Sequence, residues 1–111
     1  MDYYEMWCDL APGVKDLDFS SAVEAFLGNM VQEGKIEGFS LKRRKLGFGP
    51  AGLGEWNVTV HVKNLTQLDE AFLRAAPRAE PVESLHAAVY SKVVNFKAGL
   101  YRDFPDPVRA R

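Results

Sequence analysis

Residues 54–62 read Gly-Glu-Trp-Asn-Val-Thr-Val-His-Val, apolar and polar positions alternating with a period of two. In an extended strand that period puts Trp56, Val58, Val60 and Val62 on one face and Asn57, Thr59 and His61 on the other. The first face suits a core. The second carries groups able to hydrogen-bond a ligand or another protein surface. The same alternation predicts a strand over residues 3–10, with Tyr4, Met6, Cys8 and Leu10 on the apolar face and Tyr3, Glu5, Trp7 and Asp9 on the other. Pro12-Gly13 ends it. A third strand is predicted over residues 38–46, where Phe39 and Leu41 alternate before a basic run, Lys42-Arg43-Arg44-Lys45.

Elsewhere the period lengthens to that of a helix. Phe19, Val23, Phe26, Leu27, Met30 and Val31 recur at helical spacing, with Asp16 or Asp18 placed to cap and Gly34 placed to stop. Leu68, Ala71, Phe72 and Ala75 form a second stripe, started by Asn64 or Thr66 and ended by Pro77. Pro81 suits the first turn of a short extra helix bearing Val82, Leu85 and Val89. Residues 93–101 then alternate again, with Phe96, Ala98 and Leu100 opposed to Asn95, Lys97 and Tyr101. Leu85, Val89, Val93 and Phe96 also keep helical spacing, so the pattern does not fix this last boundary. The predicted order is strand, helix, strand, strand, helix, short helix, strand. That is the ferredoxin-like βαββαβ order of an α+β domain, one antiparallel sheet with helices on one face. Residues 1–103 make the domain, and residues 104–111, with two prolines, an irregular arm.

Charge narrows the function classes. Fourteen basic and fifteen acidic residues leave a net charge of -1, which gives no overall pull toward nucleic acid or a membrane surface. No apolar run approaches the roughly 20 residues that span a bilayer. The opening Met-Asp-Tyr-Tyr-Glu does not read as a signal peptide. One cysteine, Cys8, excludes an intrachain disulfide and fits a cytoplasmic location.

Three features bear on chemistry. Gly47-Phe-Gly49-Pro-Ala-Gly52 has the spacing of a dinucleotide loop. Such a loop must open a helix, and here a strand follows, so it reads as a hairpin connection. The basic run alternates on a strand, so Lys42 and Arg44 share the Ser40 face. There they either protect a sheet edge or grip an anion, with Arg44 the residue that would hold it. His61 is the group best suited to proton transfer, or else a histidine bonded within an interface. His86 reads as a surface or packing residue. Neither histidine has metal-ligand spacing, so no metal or cofactor is expected.

Element order and size resemble the dimeric α+β barrel superfamily, which includes antibiotic-biosynthesis-type monooxygenases, chlorite-dismutase-like proteins and stress-responsive barrel proteins. The stretches Arg43-Arg-Lys-Leu-Gly47 and Leu100-Tyr-Arg-Asp-Phe-Pro-Asp-Pro107 also resemble a small bacterial family of uncharacterised proteins. The resemblance implies a homodimer whose open sheet faces pack together and enclose a pocket. Tyr3, Trp7, Arg44, Asn57, Thr59 and Tyr101 would line it. Two functions are then expected as alternatives. One is binding of a small molecule without catalysis. The other is a cofactor-independent monooxygenase acting on a small aromatic substrate, with His61 as base, Asn57 orienting the substrate and Tyr3 and Trp7 as walls.

Overall fold

The structure is a computed structural model that describes residues 1–76 and 80–106. Four strands and three helices follow one another as β1 (Asp2–Leu10), α1 (Asp16–Gln32), β2 (Gly38–Arg43), β3 (Trp56–Val62), α2 (Leu65–Ala75), α3 (Val82–Tyr90) and β4 (Val93–Arg102). The strands form one antiparallel sheet in the order β2-β3-β1-β4, the ferredoxin-like arrangement that the alternating patterns predict. Register makes the sheet two-faced. Tyr4 stands opposite Val60, Met6 opposite Val58 and Cys8 opposite Trp56, so their apolar sets share the helix-covered face. Glu5, Trp7, Asn57, Thr59 and His61 turn to the other face, joined by Ser40 and Lys42 of β2 and by Lys97 and Tyr101 of β4.

The helix α1 buries Phe19, Val23, Leu27 and Met30, one stripe along its length. Phe19 meets Trp56 edge-on at 5.3 Å, the centre of the core. The expected aspartate cap of α1 is not formed. Lys15 precedes the helix without a side-chain cap, and Asp16 instead accepts a hydrogen bond from the N–H of Leu17. Asp16 and Asp18 still lie in the first turn, where the helix dipole favours carboxylates. On α2, Asn64 does cap, accepting from the N–H of Gln67 at 2.9 Å, while Gln67 reaches back to accept from the N–H of Lys63. Gly34, with φ +73°, follows α1 in the left-handed conformation that suits glycine.

Two boundaries differ from the sequence expectation. The second strand stops at Arg43 rather than residue 46, because Leu46 (φ 54°) and Gly47 (φ 74°) turn the chain out of the extended region. The ambiguous stretch divides after Tyr90: the N–H groups of Ser91 and Lys92 close α3 on the carbonyls of Ala87 and Val89, and the Lys92 carbonyl accepts from Ala11. Asn95, also at positive φ (58°), lies where the β1–β4 register shifts. Pro77 and most of the expected arm, residues 107–111, lie outside the described residues. Among the described residues no helix is long and apolar enough to cross a membrane.

The sheet is laced at one end by a charge pair whose carboxylate is buried and whose guanidinium is half exposed. The side chain of Asp2, only 4% exposed, accepts from Arg102 Nε at 2.6 Å and Nη2 at 3.2 Å, joining the start of β1 to the end of β4. The Arg102 hydrogen bond holds the Asp2 carboxyl below its usual range, against the upward push of burial. A depressed carboxyl stabilises the fold above its unfolded value and loses that contribution as pH falls through the folded one. Asp2→Asn should therefore lower stability at neutral pH, and the deficit relative to the parent should shrink below the ordinary carboxyl value of 3.8, read by urea unfolding at several pH values. A deficit independent of pH would assign Asp2 a packing role only. In the core, Phe19→Ala should cost about 3–5 kcal/mol. A loss below about 1 kcal/mol would place Phe19 outside the core.

Candidate functional site

Each face of the sheet carries a cavity. One lies between the sheet and the helices, with a volume of about 270 Å³. Its floor is Tyr4, Met6, Cys8, Val58 and Val60, brought together by the β1–β3 register. Its roof comes from Phe26 and Leu27 of α1, Ala71 and Phe72 of α2, and His86 and Tyr90 of α3. The space persists because α3 packs on α1 rather than on the sheet, leaving bulky rings at the edges instead of in the centre. Phe72 stands edge-on to Tyr4 at 5.3 Å. His86 stacks on Phe26 at 4.9 Å with planes 16° apart, and meets the Tyr90 ring edge-on at 5.0 Å. No side-chain hydrogen bond to another described residue engages the imidazole of His86. It is a packing residue, as its place on the short helix suggested, but it packs on a cavity wall.

Polar groups fill the centre of the open face. Asn57 donates from Nδ2 to Glu5 Oε1 and to the Met6 carbonyl, both at 3.3 Å. The Thr59 hydroxyl lies 3.1 Å from Asn57 Oδ1 and 3.4 Å from Glu5 Oε1. A second cavity, about 280 Å³, lies to one side of this network, beneath the connection between β2 and β3. Trp7, Lys42, Arg44, Phe48 and Asn57 are among its walls. The connection is tied down at three points. Arg44 Nη2 donates to the carbonyls of Leu53 (2.7 Å) and Gly54 (3.3 Å), Lys97 donates to the carbonyl of Gly52, and Asp9 accepts from the N–H of Glu55 at 2.9 Å. Hydrogen bonds from Asn95 and from Glu55 lower the Asp9 pKa, so this acceptor stays charged. One glycine is required there by close approach: a Cβ on Gly54 would stand 2.3 Å from the Cys8 backbone. Gly47 and Gly52 take positive φ, 74° and 85°, in the turns of the connection. The glycines of the apparent dinucleotide motif thus serve a folded hairpin connection, as the following strand implied.

The seven residues expected in one pocket are divided. Trp7, Arg44 and Asn57 line the open-face cavity. Thr59, 6% exposed, is held in the network beside it. Tyr3, His61 and Tyr101 gather at the opposite end of the same face: Tyr3 pairs across the strands with both, meets the His61 ring edge-on at 5.3 Å, and donates its hydroxyl to Asp103. That hydrogen bond raises the Tyr3 pKa. His61 lines neither cavity. Lys42 and Arg44 do share the open face, whereas Arg43 turns to the helix side. There it lies 4.8 Å over the Trp56 ring and pairs with Asp16 and Glu55. The sequence reading passed over Glu5, although its alternation with Tyr3 and Trp7 placed it on the polar face. It also passed over the helix-side cavity. The available signal was the ring-bearing stripe His86–Tyr90 facing Phe26 and Phe72. Among the described residues no group of three or more His, Cys, Asp or Glu side chains could hold a metal ion.

The strand order and the one-sided helices define a ferredoxin-like α+β protein, and known structures share the arrangement. The Arabidopsis thaliana protein At3g17210 superposes with a TM-score of 0.73 at 7% identity, over 96% of this chain and 98% of its own. The cofactor-independent oxygenase SnoaB of Streptomyces nogalater gives 0.69 at 8% identity, over 95% and 97%. A dimeric ferredoxin-like protein of unknown function from Bacteroides fragilis gives 0.62 at 9% identity, over 92% and 95%. At such identities the likeness is one of fold. No curated protein sequence matches the chain. Over residues 1–111 the sequence matches a family of unknown function, DUF6614, and the chain belongs to that family.

Cys8 offers a direct probe of the helix-side cavity. Burial, with the nearby Asp9 charge adding to it, pushes the thiol up to about 11. It should therefore stay protonated at pH 8 and react with a disulfide reagent at least about a hundredfold more slowly than in the denatured chain. Labelling at the denatured rate in the folded protein would contradict the burial.

Proposed function

We propose that the protein is a homodimer that binds a small, largely apolar molecule in the cavity between its sheet and its helices. The observation that carries this reading is the cavity itself. It is an apolar space of about 270 Å³ with aromatic rings at its walls, and it opens toward solvent where Phe72 and Tyr90 are 48% and 45% exposed. A cavity of about 150 Å³ lined by aliphatic and aromatic side chains accepts benzene, so this one has room for a bicyclic ring. A concave, apolar space with few polar groups and an opening to solvent is the usual form of a small-molecule site. His86, with no side-chain hydrogen bond of its own, supplies a polar group to orient such a ligand.

The homodimer rests on the other face. Tyr3 and Tyr101 lie there, at the end of the face away from the β2–β3 connection, and Tyr101 is 56% exposed. Aromatic side chains of this kind are enriched at protein interfaces. The dimeric description of the Bacteroides fragilis structure supports the same assembly for this chain. Two open faces packed together would bury more than about 1,000 Å² in total.

An oxygenase is the second reading, favoured by the shared fold with SnoaB. In that case a base would have to reach the substrate. His86 lies on the cavity wall, and His61 would need a site completed by the second subunit.

Naphthalene should raise the melting temperature of the protein and be displaced by filling the cavity. Saturation at a hundredfold excess over Kd corresponds to about 2.7 kcal/mol of added stability. Ala71→Phe, which places a ring in the cavity, should abolish the shift while His61→Ala leaves it intact. No shift with the parent protein, or an equal shift with Ala71→Phe, would rule out the cavity as the binding site.

A further inference from the structure

The helix-side cavity leaves the basic run of β2 without a role, and the structure shows where that run goes. Arg43 is fully engaged on the helix side, pairing with Asp16 and Glu55 at 3.1 Å each. Lys42 and Arg44 project from the opposite face into the cavity under the β2–β3 connection. Arg44 continues the ladder for one residue, its N–H bonding the Glu55 carbonyl at 2.7 Å, so the two cations keep the strand spacing of about 7 Å. Lys42 has no polar partner among the described residues. Arg44 spends Nη2 on the carbonyls of Leu53 and Gly54, which fixes the guanidinium, and its charge also acts on the nearby Asp9 carboxylate.

With Arg43 and Glu55 paired, the charged walls that remain are Lys42, Arg44 and Glu5, with Asp9 and Lys97 just outside them. The Asn57 amide already bonds the Glu5 carboxylate at Oε1. Trp7 and Phe48 supply the apolar walls. A tied guanidinium and an unpaired ammonium beside an indole are suited to an anion carried on a flat ring. The ring stacks on Trp7, and the anionic group meets Lys42 and the remaining guanidinium donors. From this arrangement we infer a second ligand site, separate from the helix-side cavity, that binds a small aromatic carboxylate between Trp7, Lys42 and Arg44. The hairpin connection is its lid-side wall, which explains why that connection is anchored through Arg44, Asp9 and Lys97 rather than left free.

The test uses 1-naphthoate and its neutral isostere 1-naphthamide on the full chain, with the two tryptophan indole N–H resonances as site reporters. Trp7 lines this site, and Trp56 is buried on the other side of the sheet. Naphthoate should shift the Trp7 resonance and leave Trp56 in place. Naphthamide should bind at least about tenfold more weakly, the loss of one charge-assisted contact. Lys42→Gln, an exposed side chain whose change leaves the core intact, should weaken naphthoate by at least about fivefold, and raised salt should do the same to the parent. Equal binding of acid and amide, a Lys42→Gln variant with parental affinity, or shifts confined to Trp56 and the helix-side residues would each overturn the proposal. Because the reporter and the probe charge differ from those of the naphthalene test, either site can fail without the other.

Discussion

Cys8 stands opposite Trp56, and from that pairing follows the face on which every side chain of the sheet lies. Side chains alternate along a strand, so a slip of one residue between β1 and β3 would send Tyr4, Met6 and Cys8 to the open side and draw Glu5 and Trp7 into the core. Two local contacts hold the register. Gly54 lets the chain pass against the Cys8 backbone at a distance no other residue permits, and Asp9 receives the Glu55 N–H beside it. At the far end the Asp2–Arg102 pair fixes the other neighbour, β4, against β1. The helices add burial to a sheet whose two-sidedness is already determined.

That division of faces separates two kinds of chemistry. On the helix side the apolar floor is only partly filled, because α1 supplies the buried stripe while α3 leans on α1. The rings of Phe26, Phe72, His86 and Tyr90 close around the unfilled volume. On the open side, polar groups satisfy one another through Glu5, Asn57 and Thr59, and the remaining cations lie under a tethered loop. Among the described residues no buried side-chain polar atom lacks a hydrogen-bond partner.

Much of this architecture was legible because each strand carries a strict period of two and α1 a clean helical stripe. The alternation in residues 54–62 alone separates the core set Trp56, Val58, Val60 and Val62 from Asn57, Thr59 and His61. Strand ends were less legible. Leu46 takes a positive φ that its residue type does not advertise, and the cap of α1 depends on backbone geometry rather than on the aspartates nearby. The site was legible by face and not by position along it. Period two says that Tyr3, Trp7, Asn57 and His61 share a surface. It does not say that the connection between β2 and β3 folds over one end, which separates Trp7 and Asn57 from Tyr3 and His61. Nor does any pattern reveal volume: the helix-side cavity arises from how α3 sits, a tertiary property.

The helix side of the sheet carries an accessible apolar space rather than a collapsed or hydrated one. A crystal of the protein pressurised with xenon tests it directly, since dry apolar cavities take up the gas and polar hydrated ones do not. A xenon peak is expected between Met6, Leu27, Val58 and Phe72, with the surrounding side chains in place. A chain of ordered waters at that position, or Phe26 and Phe72 packed together across it with no room for an atom, would contradict it.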